Sequence, residues 1–272
     1  MDLLIEKGDS RTYLSQLKVL VTKFEEGAPA ITRNSTQIQG RNGNVDFGGW
    51  HTSKEIEVEG FYRADDLDEE TTLREKLYAL LSDTDGFYIT EMRGELTPDF
   101  ERPGENEGNL YEQLTTRPSH KRFFVYAKSI EPELQGNIGG AVLYKLTMTF
   151  ITMKLPYGES VPRDLSINNG IIPYAGTVIC NQLEQGFGVW FKSSVSASSL
   201  DVYVNDVKFT YNGDIAVGDE FFLTGYEYGK NGTNIVKDTN KAYFKLFPNS
   251  INRISTNLNG KIIISGFQNL YA

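Results

Sequence analysis

The sequence predicts a mainly β protein of two domains, the first a β-sheet covered by one helix and the second a β-sandwich. Three observations lead to this prediction. Residues 53–61 alternate apolar and charged side chains, residues 66–81 carry apolar residues at helical spacing, and the chain after Pro162 has short strand-like runs separated by Gly, Asn and Asp. At 272 residues the chain is long enough for two ordinary cores, which we place at 1–160 and 161–272.

The charge of the chain is concentrated in the first domain. Residues 161–272 hold nine basic and nine acidic residues, so the net charge of −9 belongs to residues 1–160. A nucleic-acid binder needs a basic stripe to release phosphate counterions, so we expect no specific nucleic-acid binding. The sequence has neither a signal peptide nor an apolar run of the roughly 20 residues that a membrane span needs. We therefore expect cytoplasmic synthesis and no membrane span.

The first strong element is the strand at residues 54–61. Ile56 and Val58 fall on one face, and Glu55, Glu57 and Glu59 fall on the other, because side chains in a strand alternate with a period of two. Three like charges on one face require a wet or aqueous space. Cross-strand pairing with Lys or Arg explains the same pattern, and both interpretations stay open at this point.

The next element is a helix that begins near Asp66. Asp66 and Glu69 have the spacing of a capping box, and the acids at 65–70 suit the positive end of a helix dipole. An apolar stripe then predicts that the helix lies on a sheet, through Leu73, Leu77, Leu80 and Leu81. Gly86 is a plausible C-terminal stop, and residues 87–90 read as a returning strand.

The rest of the first domain completes the sheet. Residues 14–24, 121–130 and 141–154 read as strands, and Asn42-Gly43 is a hairpin signal within a turn-rich connection at 38–50. A long polar insertion occupies residues 91–119. The linker at 155–162 contains Pro156, Gly158 and Pro162 and predicts the domain boundary.

The second domain shows only short strands, which is how a sandwich or jelly roll reads. The predicted strands are Thr177–Ile179, Gly188–Lys192, Leu200–Val204, Phe221–Thr224, Ala242–Leu246 and Lys261–Ser265.

No residue pattern supports catalysis, a cofactor or a metal. His51 and His120 lack partners at metal-ligand spacing and read as solvated, and the single cysteine, Cys180, reads as a buried strand thiol. Trp190 lies between Val189 and Phe191 and reads as core or sheet packing rather than a sugar platform. The aromatic residues of the first domain fit a subunit interface better, and we take Trp50, Phe61 and Tyr62 as its candidates.

The order of these pieces over most of residues 15–160 resembles the siphophage distal tail protein family, the hub of the tail tip. The segments that carry the resemblance are Gly40–Gly43, Ile56–Gly60, Leu73–Leu81, Gly86–Ile89, Arg102–Glu105, Lys121–Val125, Tyr144–Phe150 and Leu155–Ser160. The second domain is similar chiefly in layout.

The resemblance implies a non-enzymatic virion protein at the tail tip. Its first domain would form a homohexameric ring around the channel through which DNA leaves, and its second domain would be a galectin-like sandwich directed outward. In such a ring, Glu55, Glu57 and Glu59 are the candidates for the channel-facing side. The implied partners are the tail tube protein, the tail-associated lysin or tip protein and the tape measure protein, and such baseplate rings often anchor receptor-binding proteins. The alternative from another class is a carbohydrate-binding module that recognises a host-wall glycan through the sandwich.

Overall fold

In the computed structural model, which describes residues 1–94 and 117–272, most of the alternating segment at residues 53–61 forms the first part of a strand. This strand, β6 (Glu55–Ala64), buries Ile56, Val58 and Tyr62 and turns the intervening side chains outward. It lies between β3 (Val19–Glu26) and β10 (Ala141–Thr152), and both pairings are antiparallel. The predicted mainly β fold is confirmed.

The chain divides into two units, Met1–Gly158 and Glu159–Ala272. The main sheet of the first unit has the strand order β2-β1-β7-β9-β10-β6-β3, and β8 pairs with β7. The elements of this unit are β1 (Asp2–Lys7), β2 (Ser10–Tyr13), a 3-10 turn (Leu14–Leu17), β3 (Val19–Glu26), β4 (Ile31–Gln37), β5 (Asn44–His51), β6 (Glu55–Ala64), α1 (Leu67–Leu81), β7 (Phe87–Arg93), β8 (Arg117–Pro118), β9 (Phe123–Ile138), β10 (Ala141–Thr152) and β11 (Gly158–Glu159), the last of which extends one residue past the unit's end.

Helix α1 begins where the sequence predicts. The Oδ1 atom of Asp66 accepts a hydrogen bond from the backbone N–H of Glu69 at 2.7 Å, and the Glu69 carboxylate accepts one from the backbone N–H of Asp65. The second hydrogen bond of the capping box therefore comes from the residue before the cap, and not from the cap residue itself. Three leucines of the predicted stripe, Leu73, Leu77 and Leu81, are buried in the core that also contains Ile56, Val58 and Phe150.

The strand at the start of the chain is not predicted from the sequence. Strand β1 buries Leu3 and Ile5 in the core and pairs with β7 on one side and β2 on the other. Asp2 and Glu6 flank the apolar residues of this strand, so its hydrophobicity alone does not identify it. The Asp2 carboxylate is nevertheless satisfied, since it accepts hydrogen bonds from the backbone N–H of Leu3 and from the Ser15 hydroxyl.

The long insertion predicted at 91–119 is shorter than expected at both ends. Strand β7 continues to Arg93, and β8 pairs with it through Met92↔Pro118 and Arg93↔Arg117. Residues 95–116, which hold the rest of this prediction, lie outside the described part of the chain.

The second unit contains a six-stranded sheet, β12-β23-β15-β18-β19-β20, and a four-stranded sheet, β13-β22-β16-β17. Its elements are β12 (Arg163–Ile167), β13 (Ile171–Ile172), β14 (Cys180–Asn181), a one-turn helix α2 (Gln182–Gln185), β15 (Gly188–Ser193), β16 (Ala197–Val204), β17 (Val207–Ile215), β18 (Glu220–Leu223), β19 (Tyr228–Lys230), β20 (Thr233–Asn234), a 3-10 turn (Val236–Asp238), β21 (Lys245–Leu246), β22 (Asn252–Thr256), β23 (Gly260–Phe267) and β24 (Leu270–Tyr271).

Aromatic side chains join the two sheets of this unit. The rings of Phe209 and Tyr228 stack with centroids 5.4 Å apart, and those of Tyr211 and Phe221 meet at 5.3 Å. In each pair one ring comes from β17 of the four-stranded sheet and the other from the six-stranded sheet. These contacts make a sandwich core in which the aromatic pairs contribute beyond their buried area.

Two predicted strands of the second unit differ from the structure. Residues 177–179 do not form a strand, and only Lys245–Leu246 of the predicted Ala242–Leu246 strand does. Cys180 is buried as expected, and burial raises the pKa of its thiol to about 12, so the thiol stays protonated at neutral pH. Within the described ranges, no helix is long and apolar enough to cross a membrane.

The position of Leu77 in the core predicts the effect of truncating it. The Leu77→Ala variant should lower the free energy of unfolding by about 2–5 kcal/mol, because it removes a side chain that is only 1% exposed and leaves a cavity. Glu75→Ala, on the exposed side of the same helix, should change it by less than about 0.5 kcal/mol. Urea denaturation of both variants measures the difference, and equal effects would contradict the assignment of the buried face.

Candidate functional site

The outward face of β6 carries a ladder of paired charges. The Lys23 ammonium on β3 lies 2.6 Å from the Glu57 carboxylate and 3.3 Å from that of Glu59, and Lys145 on β10 lies 2.7 Å from Glu59. Further along, Lys128 contacts Glu55 at 3.3 Å. Cross-strand pairs therefore explain the glutamate alternation, as the second interpretation of the sequence proposed.

The pairing leaves this face close to electrical neutrality. Hydrogen bonds from Lys145 and Lys23 hold the pKa of Glu59 below its usual range, and the Glu25 and Glu57 carboxylates raise that of Lys23. Glu59 and Lys23 are thus charged at neutral pH. With Glu55 included, four carboxylates face three ammonium groups, so the surface is hydrated and charged but has little net charge.

Strands β4 and β5 form a hairpin whose side chains face solvent along nearly all its length. We call residues 31–51 the hairpin arm. Only Val45 is even partly buried in its strands, and four large apolar residues are at least half exposed, namely Ile31 (62%), Ile38 (50%), Phe47 (65%) and Trp50 (56%). A two-stranded hairpin without a core beneath it is only marginally stable in water. Exposed apolar groups at this density indicate an interaction surface.

A buried charge cluster holds the base of the hairpin arm. The Lys54 ammonium, whose side chain is 2% exposed, pairs with the Glu26 carboxylate at 2.8 Å, and Lys121 pairs with the same carboxylate. Both ammonium groups also lie over the Phe123 ring, at 5.4 and 5.6 Å from its centroid. Burial opposes ionisation of Glu26, but the pairs with Lys121 and Lys54 outweigh burial and lower its pKa.

Backbone hydrogen bonds continue the sheet into the arm. The N–H of Gly27 donates to the carbonyl of Glu55 at 2.8 Å, and that of Ala30 donates to Ser53 at 2.7 Å. On the other side, the Thr152 hydroxyl accepts from the N–H of Lys54 at 2.9 Å. These bonds and the charge cluster fix the direction in which the arm leaves the sheet.

The structure separates the residues predicted for a subunit interface. Trp50 is exposed on the arm, and Phe61 lies partly exposed on the outward face of β6. Tyr62 is only 1% exposed, so its assignment to an interface is wrong. Its ring stacks on Tyr144 and its hydroxyl donates to the buried Glu70 carboxylate at 3.0 Å, which leaves no surface for a partner.

The sequence analysis overlooked most of the hairpin arm. The turn signal at Asn42-Gly43 is confirmed, but the flanking strands were taken as a connection because Thr, Asn, Ser and Gly dilute their apolar residues. Phe47 and Ile31 were not considered, although two strands without alternation are a signal of a hairpin with no buried face. His51, predicted to be solvated, is exposed and lies 2.9 Å from the Tyr157 hydroxyl.

No group of acidic, histidine or cysteine side chains within residues 1–94 and 117–272 is arranged to hold a metal ion. The first unit has two notable surface features. One is the hydrated, charged face of its sheet, and the other is the apolar hairpin arm, which extends from one end of that sheet.

Comparisons with known proteins identify the family of the first unit. The family model described as the phage tail protein RIFT-related domain matches residues 8–151, which is more than half of the chain. A search of curated protein sequences finds no match.

Among solved structures, the chain is similar to the Dit protein (gp 19.1) of phage SPP1, described as a paradigm of the hub adsorption apparatus in phages that infect Gram-positive hosts. The TM-score is 0.68 at 12% identity, and the alignment covers 99% of each chain. Two structures of the phage p2 baseplate in its activated conformation, with Ca and with Sr, match at TM-scores of 0.43 and 0.41 and at 10% and 9% identity, covering 98% of this chain and 97% of theirs. The match to the SPP1 protein extends the shared fold over both units.

The charge cluster at the base of the arm predicts a specific dependence on pH. Since the folded protein lowers the pKa of Glu26, the stability from this group is fully present above the usual carboxyl pKa and is lost as the pH falls through the lowered value. Glu26→Gln should cost roughly 2–4 kcal/mol at pH 7, because it leaves the buried ammonium of Lys54 and the partly buried one of Lys121 without a counter-ion. The variant should also lose part of the acid sensitivity of the wild type.

Glu55→Gln is the matched control, since its pair with Lys128 is exposed, and it should cost less than about 1 kcal/mol. Urea denaturation at pH 7 and at pH 4 measures both effects. A Glu26→Gln variant as stable as Glu55→Gln would show that the cluster does not hold the arm.

Proposed function

This chain belongs to the phage tail protein family with a RIFT-related domain, and we propose that it is a structural hub of a siphophage tail tip. In this role six copies form a ring through their first units, and DNA leaves through its centre. The ring joins the tail tube to the tip and baseplate components. The observation that carries the proposal is the family match over residues 8–151, supported by a fold shared end to end with the SPP1 hub protein.

The hairpin arm supports assembly with further copies of this chain. It exposes Phe47 and Trp50 on strands that have no buried side chains, and aromatic residues are favoured at the centres of protein interfaces. An arm that contacts a different surface of the next copy makes a heterologous interface, and repetition of such an interface closes a ring when the rotation permits. We assign Trp50 to this interface, together with Phe61 on the nearby strand.

The charged face of β6 suits the wall of a channel. Glu55, Glu57 and Glu59 need water, and the lysines beside them cancel most of their charge. A wall of paired charges has no basic stripe to hold phosphate by counterion release, so DNA would pass without a point of strong attachment. We therefore propose that this face lines the lumen.

The remaining partners follow from the same role. We propose contacts with the tail tube protein, the tail-associated lysin or tip protein and the tape measure protein, and anchoring of a receptor-binding protein. The role is structural, so we expect no catalytic activity. The chain would be made in the cytoplasm of the host bacterium and would act in the virion.

Assembly can be tested by the mass in solution. Native mass spectrometry or light scattering should find six times the 30.6 kDa of one chain, and Phe47→Asp should reduce this to the monomer, because it places a charge in the apolar contact of the arm. Val217→Asp, a charge added at a residue that is 66% exposed in the second unit, should leave the ring intact. A wild type that remains monomeric at every concentration, or a Phe47→Asp variant that still forms rings, would contradict the proposal.

The channel wall can be tested in the virion. Phage with Glu55→Lys and Glu57→Lys should assemble tails but eject DNA more slowly, because the wall becomes basic and attracts phosphate, and the delay should shrink as salt is raised. Asp206→Lys with Glu184→Lys in the second unit is the control of equal charge change. Ejection at the wild-type rate at every salt concentration would rule out this face as the lumen.

A further inference from the structure

The second unit carries a groove on the outward face of its six-stranded sheet. Trp190 on β15 and Phe222 on β18 are directly opposite each other in register, and both point away from the sandwich core. Their neighbours Val189, Phe191 and Phe221 point inward and are fully buried. Trp190 is partly buried on this face, so it packs against the sheet and still exposes part of its surface, and Phe222 is 39% exposed.

Two glycines shape the groove beside these rings. Gly188 lies directly under Phe222, where an added Cβ would come within 2.5 Å of the ring, so the ring lies flat against the backbone. Gly229 is opposite Phe222 on the next strand and leaves the sheet bare, since an added Cβ there would meet no atom closer than 3.8 Å. The result is an open cavity of about 430 Å³ between the two rings and the turn at 231–234.

Polar groups of two kinds line this cavity. Some are held in place by the protein: Asn231 accepts from the N–H of Glu220 at 2.9 Å and donates to Asp219 at 2.8 Å, and Glu220 pairs with Lys192. They give the walls a fixed shape.

The other polar groups are available for a ligand. Within the described chain, the indole N–H of Trp190 and the carboxylate of Glu227 make no hydrogen bond or ion pair. Asn234 uses only its amide oxygen, which accepts from the N–H of Val236 at 2.9 Å. Three residues that line the same cavity thus carry an indole donor, a carboxylate acceptor and an amide donor that the described protein does not use.

The chemistry of the groove matches a neutral saccharide. A pyranose ring has one face of C–H groups that packs on an aromatic ring, and a rim of hydroxyls that both donate and accept hydrogen bonds. A purely apolar ligand would leave the three available polar groups without partners, which is costly. A polyanion would meet Glu220 and Glu227, whereas the cationic Lys192 is already paired.

We propose that this groove binds a neutral oligosaccharide, with one sugar ring packed on Trp190 and Phe222 and its hydroxyls bonded to Glu227 and Asn234. This activity is additional to the hub role and does not depend on ring formation. Concave sites of this size with aromatic walls and a few convergent polar groups are typical of small-ligand binding.

The test uses the full chain and an array of neutral oligosaccharides built from glucose, galactose, rhamnose and N-acetylhexosamines, with calorimetric titration of the strongest binder. Trp190→Ala should weaken binding by about tenfold or more through loss of the ring contact. Asn234→Ala and Glu227→Gln should each weaken it by about tenfold through loss of hydrogen bonds. Tyr203→Ala, an exposed aromatic residue on the opposite sheet, should bind like the wild type.

Gly229→Val provides a test that does not depend on removing packing. A Cβ at this position meets no atom closer than 3.8 Å and valine is favoured in a strand, so the thermal transition should be retained. The valine side chain would fill the floor of the groove, so binding should be lost. The proposal is overturned if the wild type binds no member of the array at millimolar concentration. It is also overturned if Gly229→Val binds as well as the wild type, or if Tyr203→Ala weakens binding as much as Trp190→Ala.

Discussion

The alternation of strand β6 is the constraint on which the first unit depends. Its inward residues Ile56 and Val58 supply the centre of the core, and its outward glutamates require water and counter-charges. A shift of one residue in the pairing with β3 or β10 would exchange these two sets, so the register is strongly specified. The hairpin arm enters this strand at its start, and helix α1 leaves soon after its end. Both elements therefore take their positions from the register of a single strand.

The sequence predicts those parts of the fold whose physical signals are local. The cap at Asp66, the leucine stripe and the alternation of β6 each depend on a few neighbouring residues, and all are confirmed, as is the family resemblance that their order suggested. Strand β1 was missed because acidic residues flank its apolar residues, and the hydrogen bond that satisfies Asp2 comes from Ser15, 13 residues away. In the sandwich, strands such as β13 and β20 are only two residues long, which is too short for a periodic signal.

Candidate sites were harder to predict, and the errors have physical explanations. Tyr62 could have been excluded, because the period that turns Ile56 and Val58 inward also turns Tyr62 inward and Phe61 outward. The groove could not be predicted, since it depends on what the backbone leaves uncovered, whereas the arm carried a signal in its turn and in two strands without alternation. Gly229 becomes meaningful only when the register places it beside Phe222 and the turn at 231–234. The charge cluster depends likewise on Glu26, Lys54 and Lys121, which come from three separate segments.

In the ring proposed above, the hairpin arm has a consequence for the fidelity of assembly. Ordering a residue costs roughly 1–2 kcal/mol of conformational entropy, and an arm with no core of its own recovers little of this cost until a neighbour covers it. Contacts that include such ordering are weaker for a given buried area than contacts between two rigid faces. A subunit that joins in the wrong orientation can then dissociate before its neighbours lock it in place. Weak individual contacts would allow a growing tail to correct its errors, and the closed ring would supply the permanence.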